Sequence, residues 1–220
     1  TPKHPAAENR DFKFTEDMDD RFELETDFEY AKRMNALVYN SITFFKGAFV
    51  IPVYDNYILW ARASIIRDYY YVFYDFADWR KAINRGVGVC TQYAIALSEL
   101  LNENGFKTYV AILNSPNICD IHAVVVSDTF TLDPTYNIAV GFNLKEIEQN
   151  HSLVEAAYQN TNTPLRYVQM YSSGNTMVME MDVFMPNYRF DKLTYWLIWI
   201  IPLLLLLPLI YRKILKNRKR

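Results

Sequence analysis

Three side chains near the middle of the chain, Cys90, His122 and Asp133, are of the types and in the order that thiol chemistry uses: a nucleophile, a base and a group that orients the base. A thiol is a weak nucleophile until it loses its proton, so the surroundings of the cysteine decide what it can do. From Gly86 to Gly105 the chain reads GVGVCTQYAIALSELLNENG. Helical periodicity begins at once, with Tyr93, Ala94, Leu97, Leu100 and Leu101 on one face, and Gly105 stands where a C-cap glycine belongs. That pattern puts Cys90 at a helix N-terminus, where unpaired N–H groups and the positive dipole end favour thiolate. A lone strand histidine is usually structural, and Asp-Pro commonly ends a strand. Order and spacing relative to Cys90 are what single out His122 and Asp133. No zinc-ligand spacing, Gly-rich phosphate loop or calcium loop is present, so the chemistry expected needs no cofactor and no metal.

The elements that must position these groups are short. Two β-rich runs, Thr108 to Leu113 and Ile121 to Ser127, follow the cysteine helix, and the second holds His122. After the polar turn Ser127-Asp128-Thr129 comes Phe130 to Leu132, ending in Asp133-Pro134. With these pieces in view, GVGVC-x-x-Y-A at 86–94, HAVVV at 122–126 and LDPTY at 132–136 resemble the transglutaminase-like cysteine enzymes, relatives of the papain fold, in a membrane-anchored bacterial type. The resemblance covers roughly residues 75 to 140. It implies an α+β fold in which an antiparallel sheet carries His122 and Asp133 on neighbouring strands and the Cys90 helix packs on that sheet. The activity implied is acyl transfer from an amide of a peptide or protein substrate, by a peptidase, amidase or transglutaminase. The Cys90 backbone N–H is the natural first donor to an oxyanion. The relatives suggest Asn84 and Trp79 as candidates for the second.

The rest of the chain frames this site. A formal charge of −2, with no basic face outside the last nine residues, excludes a nucleic-acid binder. Residues 1–25 form an acidic arm, expected either to be solvated or to dock a basic partner, with Phe12, Phe14, Phe22 and Leu24 alternating as an edge strand would. The domain proper is expected at 26–190. Thr26 and Glu29 have the form of a capping box, so a helix is expected from Asp27 to about Thr43. Residues 44–60 are apolar but carry Lys46, Pro52 and Asp55, which leaves a loop leading to a helix near Asn56. The aromatic stretch 57–74 reads as helix packing against the sheet, or as an aromatic wall for substrate. A short helix is expected within 75–85, and a surface helix over 143–159 with Leu144, Ile147, Leu153 and Ala157 inward. Strands are expected at 167–171 and 176–185 around the turn 172–175, the second with a core-packing methionine stripe.

Residues 193–211 contain no charge over 19 positions, about the length that crosses the hydrocarbon core. Tyr195, Trp196 and Trp199 stand at its front as an interfacial belt, and RKILKNRKR at 212–220 follows with six cations. The positive-inside rule makes 193–211 a single transmembrane helix with a cytoplasmic tail, and places the domain outside the cell inner membrane, in the periplasm. Thr1 is not a methionine, and the anchor favours a removed signal peptide over a trimmed chain. Outside the cytoplasm Cys90 and Cys119 have three fates open: a free nucleophile beside a bystander, a reversible regulatory bridge, or a structural bridge in a non-enzyme. Two functions stay open accordingly. One is a membrane-anchored thiol acyl-transfer enzyme; the other is a transglutaminase-like binding or assembly module for a membrane protein partner.

Overall fold

Thr26 and Glu29 cap each other: the Thr26 hydroxyl accepts from the Glu29 N–H, and the Glu29 carboxylate accepts from the Thr26 N–H at 2.9 Å. Helix α1 (Asp27–Ser41) starts there. The computed structural model describes every residue except 1, 10, 16, 48–49, 67–73, 116–117, 160–165, 172–175, 186 and 219–220. Two compact units result, one of Thr1–Gly47 with Asp75–Pro186, the other of Ala48–Tyr74 with Asn187–Arg220.

In the first unit α1 leads to β1 (Thr43–Phe44). Helix α2 (Tyr57–Ile66) belongs to the second unit, and the first resumes with α3 (Trp79–Arg85), β2 (Val87–Gly88) and α4 (Cys90–Glu103). Next come β3 (Tyr109–Ser115), β4 (Ile118–Val126), β5 (Thr131–Asp133) and β6 (Ile138–Val140). Helices α5 (Leu144–Gln149), α6 (Ser152–Gln159) and α7 (Arg166–Met170) precede β7 (Met177–Met179) and α8 (Met181–Phe184). Five strands form one antiparallel sheet in the order β6-β5-β4-β3-β7, while β1 and β2 pair as a separate parallel ladder. The architecture is therefore α+β. Both faces of the sheet are covered, which is why β4 reads as the unbroken apolar run AVVV after its histidine. Ala111, Leu113, Val124 and Val126 pack against Leu144, Ile147, Val154, Tyr158 and Tyr167 from α5, α6 and α7. By strand alternation the buried Val110, Ile112, Ala123 and Val125 face the other way, where α4 contacts β4 and β3. Helix α4 ends as its sequence predicts. Gly105 takes φ +85°, the Phe106 N–H donates to Leu101 O and the Gly105 N–H to Asn102 O, a Schellman closure.

Several expectations are corrected. The arm is not a solvated tail, and its described residues form turns rather than an edge strand. Arg33 of α1 gathers it, donating to the Glu25 carboxylate at 2.8 and 2.9 Å and to the carbonyls of Met18 and Asp20, while Tyr30 donates to Asp19 O. Phe14 meets Trp79 edge-on and Ala7 is buried. The single helix expected over 143–159 breaks at Asn150, whose carboxamide oxygen accepts from the Ser152 N–H and hydroxyl and so restarts the helix. The buried residues are Val154 and Tyr158, in helical phase with Ile147, rather than Leu153, while Ala157 packs partly buried against the same cluster. Residues 167–171 are helix, not strand: Tyr167, Val168, Met170 and Tyr171 are buried and Gln169 is exposed, a 3.6-residue period. The strand expected over 176–185 stops at Met179. Of its methionine stripe, Met181 and Met185 are buried through α8, whereas Met177 is exposed. The turn 172–175 lies outside the described residues.

In the second unit α2 contacts α9 (Tyr188–Arg218), so the described part of 57–74 packs on the C-terminal helix instead of the sheet. Tyr69, Tyr70, Tyr71 and Phe73 fall outside the described residues. Within α9, Tyr188–Pro208 is long and apolar enough to cross a membrane, and Pro202 lies inside the helix. Replacing Gly105 by alanine isolates the cost of the left-handed C-cap, because a Cβ there meets nothing within 4 Å. Gly105→Ala is expected to lower unfolding stability by about 1 kcal/mol, measured by urea titration. An unchanged midpoint would show that α4 does not need this closure.

Candidate functional site

Cys90 is set by a short run of backbone constraints. Gly86, at φ +75°, ends α3, and β2 then pairs with β1, Thr43 opposite Val87 and Phe44 opposite Gly88. A Cβ on Gly88 would stand 2.6 Å from Gln92 Cβ, so only glycine lets the strand turn this tightly into α4. Val89 is the N-cap and makes no side-chain cap. The first N–H groups of α4 therefore stay free of a capping side chain beside a half-exposed thiol. Beneath them lies a buried polar network that the sequence does not announce. Gln92 accepts from the Phe76 N–H at 2.7 Å and from Arg85 Nη2 at 2.7 Å, and donates to Phe76 O at 3.0 Å. Thr91 donates to Asp75 Oδ2 at 2.6 Å, and Arg85 stands 4.0 Å from Asp75 Oδ1. Burial pushes the Asp75 carboxyl up to about 6, against the opposing pull of Arg85 and Thr91.

His122 and Asp133 meet through strand register. Val125 pairs with Leu132 and Val126 with Thr131, so continuing the ladder sets Asp133 opposite Val124, one side-chain period from His122 on the same face. Both side chains are buried, and His122 Nε2 lies 2.7 Å from Asp133 Oδ2. The Asp133 carboxylate also accepts from the Tyr158 hydroxyl at 2.7 Å and the Thr135 N–H at 3.0 Å. Tyr158 and Tyr171 hydroxyls are 3.1 Å apart behind it. The imidazole is wedged between Tyr167 and Tyr136, with ring centroids at 4.7 and 5.5 Å. Burial lowers the His122 pKa, but the charge and hydrogen bond of Asp133 and the Cys90 side chain outweigh it and raise it to about 10. The Cys90 sulfur lies 4.0 Å from the carbonyl of Ile121, the residue before His122, and its side chain adds to the upward pull on the imidazole.

Cys90, His122 and Asp133 are thus brought together. Asn84 and Trp79 are not brought to them. Asn84 is exposed on α3, and the Trp79 indole donates to Glu103 Oε2 at 2.9 Å, at the far end of the helix that Cys90 begins. The Cys119 side chain lies outside what is described. No protein-family model, curated protein or solved structure matches this chain. The transglutaminase-like resemblance therefore rests on the quoted motifs alone.

A cleft of about 790 Å³ opens beside His122, separated from it by Tyr136. Among the described residues Tyr39, Phe44 and Tyr93 line it with Asn9, Asn40 and Asn137, and Glu8 brings a carboxylate. Among the described residues no group of three or more His, Cys, Asp or Glu side chains is placed to hold a metal. Tyr158 and Gln92 went unrecognised from sequence because each reads as an ordinary helix residue, and Tyr171 because it reads as a strand residue. Only the buried carboxylate's need for donors could have pointed to the tyrosines.

The raised His122 pKa makes a statement about stability. An imidazole in the unfolded chain titrates near 6.5, so between that value and about 10 the fold keeps a proton that the unfolded chain has lost. The stabilisation is present in full below pH 6.5 and lost as pH rises toward 10. Thermal unfolding should show the wild type losing its advantage over His122→Gln across this window. Parallel profiles would mean that His122 is neutral in the fold.

Proposed function

We propose that this chain is a membrane-anchored thiol acyl-transfer enzyme acting on an amide of a peptide or protein outside the cytoplasmic membrane. What supports the reading most is a half-exposed Cys90 whose sulfur lies 4.0 Å from the backbone just before a buried His122, whose Nε2 in turn meets an Asp133 carboxylate held by Thr135 and Tyr158. His122 takes the Cys90 proton, and the imidazolium then stays beside the thiolate, held in orientation by Asp133. The sulfur attacks the amide carbonyl carbon and the C=O pair moves onto oxygen, which accepts from the free N–H groups at the start of α4. Collapse breaks the C–N bond while the imidazolium gives its proton to the leaving amine. The thioester left on Cys90 is resolved by water to an acid, or by a second amine to a new amide. The cleft beyond Tyr136, lined by tyrosines and asparagines, suits a polar stretch of peptide.

The burial of His122 beneath Tyr136 and Tyr167 favours a second reading, in which the charged pair only fixes the fold and the unit serves as a binding module for a membrane protein partner. Alkylation separates the two without a known substrate. An ordinary thiol titrates near 8.5. Cys90 paired with an imidazolium should react with iodoacetamide well below pH 8, and His122→Ala should remove that low-pH arm. A profile centred at the ordinary thiol value and indifferent to His122→Ala gives the case to the binding module. Against any substrate found, Cys90→Ser should abolish turnover and His122→Ala should cost on the order of 10²- to 10⁴-fold. Asp133→Asn should cost less, because a misoriented imidazole is still a base.

Membrane anchoring rests on the apolar stretch Tyr188–Pro208 and the six cations at 212–220. In this reading α9 crosses once and the cationic end is cytoplasmic. Protease added to spheroplasts should digest the domain and spare the last residues. Cleavage at the C-terminal cations from outside would reverse the orientation.

A further inference from the structure

Within the second unit, side chains ahead of α9 are tied to one turn of it. The Asn56 amide donates to Thr194 Oγ1 at 2.7 Å, while its carboxamide oxygen accepts from the N–H groups of Ile58 and Leu59 at 3.2 and 3.1 Å. One side chain thus caps α2 and clamps it to α9. The Tyr74 hydroxyl donates to Asp191 Oδ2 at 3.2 Å and lies 3.3 Å from the Tyr195 hydroxyl. Six residues further along α2, the Arg62 guanidinium stands over the Phe190 ring, 6.0 Å from its centroid. Contacts that run from Asn56 to Arg62 on one helix and from Thr194 to Phe190 on the other make the pair antiparallel. Since α9 enters its apolar stretch in the direction Phe190 to Thr194, α2 climbs away from that stretch. The chain before Asn56 therefore lies at the apolar end.

That chain is a tight turn. The N–H groups of Asp55 and Asn56 both donate to Pro52 O, at 3.1 and 3.3 Å. Turn tips in water are built from glycine, asparagine, aspartate and serine, yet the outermost residues here are Val53 and Tyr54, the latter 76% exposed. Residues coiled in such a turn advance about 1.5–2 Å each, so its tip stands about 3–4 Å beyond Asn56, two to three residues past Thr194 on α9. The turn tip thereby comes level with the exposed Trp196, at the front of the belt that Trp199 continues.

We propose that the Pro52–Asp55 turn is a second membrane contact, with Val53 and Tyr54 inserted at the boundary of headgroups and acyl chains beside the Trp196 and Trp199 belt. The inference rests on the reading that α9 spans the membrane. A lipid surface is the occupant because the tip stands level, along α9, with the start of its exposed apolar stretch, and tyrosine and tryptophan are the residues that settle where one end is apolar and the other wet. Two points of contact, one crossing and one inserted, would stop the unit from swivelling about a single helix.

The test uses the full chain reconstituted into phosphatidylcholine and phosphatidylglycerol vesicles, with Cys90 and Cys119 replaced by serine. A nitrobenzoxadiazole probe is attached to a single cysteine, introduced as Tyr54→Cys, Val53→Cys, Leu204→Cys or Lys145→Cys, and quenched by lipid carrying a nitroxide at acyl carbon 5. Quenching at positions 53 and 54 of at least half that at 204, with none at 145, supports the proposal. Positions 53 and 54 behaving as 145 does, while 204 is quenched, would overturn it and leave the span standing. No quenching at 204 would remove the span and the turn contact together.

Discussion

A carboxylate with almost no access to water needs donors on its lone pairs, and Asp133 draws the site together for that reason. Its donors come from three places: the His122 ring on the neighbouring strand, the Thr135 N–H two residues on, and the Tyr158 hydroxyl from α6. The imidazole must turn Nε2 toward the carboxylate, which fixes the direction of the ring. The tyrosine must be delivered by a helix that packs on the same sheet face, which fixes where α6 lies. Once a charge is buried at this point, the freedom of the surrounding side chains is largely spent.

The cysteine end of the site obeys a different economy. There the polar groups support the backbone rather than the reacting atom: Gln92 binds Arg85 and both Phe76 peptide groups, and Thr91 binds Asp75. Their effect is to hold residues 87–89, after the left-handed Gly86, so that α4 opens with its N–H groups uncapped. A serine or aspartate in place of Val89 would satisfy those groups locally and strengthen the helix. The apolar N-cap gives up that local gain and keeps the donors open to whatever lies beside the thiol.

Much of this was legible because it is local. A capping box, a glycine at a C-cap and runs of β-branched residues act within a few positions, and α1, α4 and β3 to β5 follow them closely. The order Cys90, His122, Asp133 was legible for the same reason: each residue announces itself by the element it opens or ends. What was hidden depends on distant partners. The acidic arm looked soluble until Arg33 was seen to collect its carbonyls and Glu25. The parallel pairing of 43–44 with 87–88 has no pattern in so few residues. Tyr171 was misassigned along with its strand, and Tyr158 was passed over although it lies in helical phase with Ile147, because nothing local shows that its hydroxyl serves a distant carboxylate. Trp79 was wrong as an oxyanion donor for a similar cause, since its indole N–H had a carboxylate far along α4 to serve.

The clamp of Asn56 on Thr194 joins positions 138 residues apart, and that of Tyr74 on Asp191 joins positions 117 apart. At 5–20 residues per second, a ribosome completes Thr194 roughly 7 to 28 s after Asn56. Throughout that delay α2 has no α9 to pack on, and its inward residues Leu59 and Ala63 are presented to whatever machinery holds the nascent chain. Closure of this unit is therefore a late event, gated by arrival of the C-terminal helix. A chain stopped short of α9 would carry an apolar segment that nothing in its own sequence can cover, and such a fragment is a natural substrate for quality-control proteases.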